Sequence, residues 1–184
     1  MKKFVFPLVV ALVLGVSLSA QSRSSLMKTA LLNATAPDTF LLRDSVLCYL
    51  SGDVEGDSSF LQDLVSTKFI SAEDMKFMRA QLMKNNHVLW SKDSIAGAVV
   101  LQSSALPASA LSAKKATKAW KTYFTKYQHG FFEVGKPLLS KDGMSAVVYT
   151  AFQCGAKCGN GGATLFQWKN DRWVAVKNIY SWRK

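Results

Sequence analysis

Acidic residues are scarce where this chain is most aromatic. Residues 111–184 hold only Glu133, Asp142 and Asp171 against thirteen lysines and arginines, a local charge of +10, and they carry thirteen of the chain's twenty-one aromatic residues. Histidine is nearly absent, with His87 and His129 alone, and cysteine is limited to Cys48, Cys154 and Cys158. One Cys-x-x-x-Cys pair without a second pair, and two histidines without ligand spacing, make no zinc set. No nucleophile elbow, paired-carboxylate pattern or zinc-protease signature occurs. So few titratable groups leave little material for general acid–base work, and no catalytic residue, cofactor or metal is expected. Internal repeats and low-complexity segments are absent as well.

Long apolar runs are missing after the first twenty residues. Lys2 and Lys3 precede the apolar stretch Phe4–Val16, and the small residues S-L-S-A-Q-S follow. That order predicts a secretory signal peptide over 1–20, cut after Ser19, Ala20 or Ser22, because the apolar run is short for a membrane span. No cysteine follows it, so no lipid anchor is expected there. The mature chain is expected to be exported, periplasmic or extracellular, with no transmembrane anchor.

What remains is long enough for one domain with a real core. The pattern predicts a loosely held lead-in over 21–38 and a single α+β domain over 39–184. Residues 21–110 carry eight basic and nine acidic side chains, so the two halves differ sharply in charge. The basic half predicts attraction to anionic surfaces or polymers.

From Thr39, the residues Phe40, Leu41, Val46, Leu47 and Leu50 recur at helical spacing up to Gly52, which predicts a first helix. A second is expected from Ser58 or Ser59 to about Thr67, and a third begins at Ser71, whose hydroxyl and acidic first turn complement free amides. His87–Trp90 and Ala96–Gln102 read as short strands. Ser112 opens a helix to about Tyr127 with Ala116, Trp120, Tyr123, Phe124 and Tyr127 on one stripe. Lys114, Lys118 and Lys121, with Lys115, occupy the rest of its surface, making an amphipathic basic helix and a candidate anion-binding face. From Phe131 the period becomes two, predicting strands at Phe131–Leu139, Met144–Cys154, Ala163–Lys169 and Arg172–Trp182. The turns Lys141-Asp142-Gly143 and Asn170-Asp171 join them into an antiparallel meander. In the last strand Val174, Val176, Tyr180 and Trp182 are expected on one face, and Trp173, Lys177 and Ile179 on the other.

Between two of these strands lies F-Q-C-G-A-K-C-G-N-G-G, residues 152–162. In an exported chain Cys154 and Cys158 are first read as a disulfide clipping a tight loop; unpaired thiols, or a metal or redox pair, remain open. Gly159-Asn160-Gly161-Gly162 runs toward a strand rather than a helix, so it reads as a hairpin connection and not a phosphate cradle. Cys48 reads as a buried free thiol.

Trp120-Lys121-Thr122-Tyr123, the Gly130–Pro137 strand, Ser140-Lys141-Asp142-Gly143, Ala146–Tyr149, Cys154–Gly162, and Asn170–Trp173 with Trp182 together resemble a group of secreted bacterial proteins with no assigned activity. The chain departs from their pattern by one extra residue between the cysteines. The resemblance implies an exported domain and brings no catalytic residues. The element order is also similar to cone-shaped folds of the nuclear-transport-factor-like type, in which a curved sheet wraps a long helix. The expectation is therefore an α+β protein: N-terminal helices and one basic amphipathic helix packed on a C-terminal antiparallel β-meander. Its expected role is a non-catalytic binding or structural module of the envelope, with the basic half contacting an anionic glycan or lipid surface. The alternative is a small-molecule pocket or a hydrolase in a cone. Export argues against a nucleic-acid partner.

Overall fold

The computed structural model describes residues 25–34, 36–47, 59–84, 87–92, 94–107 and 112–184. The expected signal segment 1–20, Cys48, the helix end at Leu50–Gly52 and the loop through Asp57 lie outside them. The fold is α+β, with helices on a mixed seven-stranded sheet that ends in an antiparallel meander. No helix among the described residues is long and apolar enough to cross a membrane.

Part of the expected lead-in packs into the core. Residues 25–33 form helix α1, and Leu26, Met27, Ala30 and Leu31 are all buried. Their spacing is a helical stripe obscured in the sequence by small polar neighbours. The helix expected from Thr39 is instead extended. Strand β1 (Phe40–Arg43) runs parallel to β4 (Ala98–Leu101), with Phe40 opposite Ala98 and Arg43 opposite Leu101. Leu42 of β1 lies opposite Phe132 of β5 (Phe131–Val134), again in parallel. A four-residue strand covered on both faces is a short apolar run, which carries no period of its own. The next residues form β2 (Ser45–Leu47), antiparallel to β3 (His87–Leu89) in a separate two-stranded ribbon.

Helices α2 (Ser59–Ser66) and α3 (Ala72–Lys84) fall where expected. Ser71 and Asp74 form a reciprocal cap at the start of α3: the Asp74 amide donates to Ser71 Oγ at 3.0 Å, and the Ser71 amide to Asp74 Oδ2 at 3.1 Å. Helix α4 (Ala113–Lys126) follows Ser112, whose side chain makes no capping bond. The single strand expected over 131–139 is broken into β5 and β6 (Leu138–Leu139) around Pro137. Both β5 and β6 pair with β7 (Ser145–Gly155), which pairs with β8 (Cys158–Lys169), which pairs with β9 (Arg172–Arg183). The sheet order is β4-β1-β5-β7-β8-β9.

The meander differs from the expected one in two places. Strand β8 begins at Cys158, so Gly159–Gly162 are strand residues, and the connection shrinks to Ala156-Lys157. Strand β9 slips register twice against β8, between the partners of Ala163 and Thr164 and between those of Leu165 and Phe166. Each slip inserts a residue and shifts the alternation. Ile179 therefore joins Val176, Tyr180 and Trp182 on one side, and Lys177 reaches that side too, over the Phe69 ring. Trp173 packs on the other side as expected.

The sheet thus has two covered faces. Helix α1 lies with Phe40, Leu42, Phe132, Val148 and Phe166 on one. On the other, α2 and α3 cover Val147, Ala151, Ala163 and Leu165, while the aromatic side of α4 covers Leu101 and Phe131. Between those two covers a gap is left.

Candidate functional site

The gap is a cavity of about 750 Å³ walled by Trp120 of α4, Phe131, Tyr149, Tyr180 and Trp182. Alternation along the strands places its polar floor. With Leu42 opposite Phe132, the next residues of β1 and β5, Arg43 and Glu133, stand side by side on the cavity face. Phe131 is opposite Gln153 and Glu133 opposite Ala151, so Gln153 lies diagonal to Glu133 on the same face.

These neighbours form a continuous polar chain. Arg43 Nη1 donates to Glu133 Oε1 at 2.8 Å, and Gln153 Nε2 donates to Glu133 Oε2 at 3.2 Å. Arg43 Nε donates to Ser103 Oγ at 3.3 Å, and the Ser103 hydroxyl and amide both donate to Asp44 Oδ1, at 2.6 and 2.9 Å. At the other end, Lys184 Nζ donates to Gln153 Oε1 at 3.5 Å. Glu133 is 3% exposed, and such a carboxylate is tolerated only when paired and hydrogen-bonded, as it is here. Both its oxygens are committed.

The wall at Trp182 depends on missing side chains. Trp182 is opposite Gly161, and a Cβ built on Gly161 would stand 2.7 Å from Ala151 Cβ and 2.9 Å from Trp182 Cε2. The indole therefore packs over the bare backbone of β8 at Gly159 and Gly161, where any other residue at 161 would hold it off. This gives the glycine-rich stretch a structural purpose that its composition alone does not reveal.

The far wall is an aromatic cluster. Trp120 stacks on Phe131 at 5.7 Å and meets Tyr123 edge-on at 5.3 Å. The Tyr123 hydroxyl donates to the His129 carbonyl at 3.0 Å; burial, aided by Tyr127, pushes its pKa up to about 12.

The candidate residues named from sequence sit around this cavity rather than in it. Cys154 and Cys158 are at disulfide distance, their Cα atoms 5.0 Å apart, and the residues they enclose, Gly155, Ala156 and Lys157, form part of the cavity rim. Among the described residues no three His, Cys, Asp or Glu side chains are placed to hold a metal ion. Lys114, Lys118 and Lys121 share one exposed flank of α4, beside but not within the row Ala113, Ala116, Thr117 and Trp120 that faces the cavity. The sequence reading missed Arg43, Glu133 and Gln153. One signal was available: Glu133 is the sole acid of the basic half outside a turn, set in F-F-E-V. No protein-family model, curated protein or solved structure matches this chain.

Proposed function

We propose that the chain is an exported binding protein that takes up a small, largely apolar molecule between α4 and the sheet. The observation that carries this reading is the open cavity of about 750 Å³, with aromatic walls and a few converged polar groups at its floor. Ligand sites have this size and this make-up. Binding is favoured over hydrolysis because both Glu133 oxygens are engaged, one of them by a guanidinium, and His129 does not line the cavity.

The test uses the neutral fluorescent amine N-phenyl-1-naphthylamine. It is expected to bind saturably, and Ala116→Trp, which fills the cavity from α4, is expected to weaken binding by about tenfold or more. Absence of saturable binding, or equal affinity in the variant, would overturn the reading.

A second reading, contact with an anionic glycan or lipid surface, is supported by a separate observation. Lys114, Lys118 and Lys121 are exposed together, and no salt bridge among the described residues engages them.

A further inference from the structure

We propose that the ligand carries a carboxylate and that Arg43 receives it on the cavity floor; this rests on the cavity being a ligand site. Arg43 lines the cavity with its guanidinium already oriented, Nη1 on Glu133 Oε1 at 2.8 Å and Nε on Ser103 Oγ at 3.3 Å. Ser103 is in turn held by Asp44 Oδ1. Nη2 makes no hydrogen bond to any described residue. Among those residues no buried side-chain nitrogen or oxygen lacks a partner, so Nη2 is reached by solvent, and the cavity is the space beside it.

The arrangement separates two roles within one guanidinium. Glu133 and Ser103 fix its plane, and the Nη2 N–H groups are left to donate. A guanidinium fixed in advance loses little freedom on binding, and its hydrogen bonds to carboxylate are charge-assisted. Glu133 offsets the Arg43 charge, so the preference for a carboxylate rests on the directed Nη2 donors rather than on net charge. Lys157 and Lys184 add positive charge at the rim, giving three cationic side chains and one carboxylate among the described lining residues. Aromatic walls on either side of such a donor match a flat apolar body bearing one acid group.

The probes are 2-naphthoate and 2-naphthamide, which share shape and differ in charge, titrated by calorimetry at low ionic strength. The wild-type chain is expected to prefer the naphthoate by about tenfold, the scale of one hydrogen bond to a charged group. Equal affinities would overturn the anchor while leaving the cavity reading intact. If neither probe bound, the cavity reading would fall and take the anchor with it. In the double variant Arg43→Gln with Glu133→Gln, which leaves no unpaired buried charge, the two probes are expected to bind alike. Retained preference there would overturn the assignment to Arg43. A rim variant, Lys157→Gln with Lys184→Gln, removes the Lys184 contact to Gln153 but leaves Arg43, Glu133 and Ser103 in place. It is expected to keep most of the preference, and complete loss would move the anchor from Arg43 to the rim.

Discussion

The side chain missing at position 161 and the indole at 182 are one device. A Cβ on Gly161 has Ala151 on one side and the Trp182 ring on the other, both inside 3.0 Å, in a strand whose backbone is held by partners on both edges. Gly161→Ala is therefore overpacking and is expected to cost about 1–3 kcal/mol. It should also lift Trp182 from β8, shifting tryptophan emission to the red. Urea unfolding and emission spectra check both, and a variant with unchanged stability and spectrum would show that Trp182 is not seated there. Residues of this kind are half legible in a sequence. Glycines clustered in one stretch announce that something comes close to the backbone, but the approaching group sits twenty-one positions away, on a strand whose register no local pattern encodes. Arg43 and Glu133 are less legible still. They lie ninety residues apart and meet only because β1 and β5 are parallel neighbours.

The elements that local chemistry specifies were legible, and those that distant partners specify were not. Helices α2, α3 and α4 carry caps or stripes within their own spans, and the meander carries its alternation and turns. In the turn before β9, Asn170 and Asp171 both take positive φ, as a two-residue hairpin requires. Strand β1 has no such mark, because its partners β4 and β5 decide its state. Helix α3 offers a test of a local signal. Asp74 closes the cap with Ser71, and its Oδ1 also accepts the Lys141 amide at 3.0 Å, tying the helix start to the turn before β7. Partial burial draws its pKa upward, but the Ser71 hydroxyl, the Lys141 and Ser71 amides and the Lys141 charge outweigh it, leaving the pKa below 3.8. A carboxyl held low contributes stability that is complete above the ordinary value and fades as pH falls through the lowered one. Asp74→Ala is thus expected to cost about 1–2 kcal/mol near neutrality. The gap to wild type should stay constant down to the ordinary aspartate range and narrow below it. Urea midpoints across acid pH measure this, and a gap that widened on acidification would reverse the assigned sign.

At the scale of the molecule, charge and cavity fall on different surfaces of α4, and that separation lets the two functional readings be tested independently. The row Ala113, Ala116, Thr117 and Trp120 faces inward to the cavity, and the lysines at 114, 118 and 121 face solvent one step around the helix. Exposed charges act through water and are screened over about 10 Å at 0.1 M salt, so an anionic-surface role must be salt-sensitive. Reversing the three to glutamate should bring elution from an anionic polysaccharide matrix to clearly lower salt. Binding of N-phenyl-1-naphthylamine should be unchanged, because none of the three side chains lines the cavity. Unchanged retention would remove the surface reading and leave the cavity reading standing. Loss of both would mean that α4 had shifted, since the only structure shared by lysine flank and cavity wall is the helix itself. Circular dichroism and the Trp120 environment would then separate a displaced helix from a lost surface.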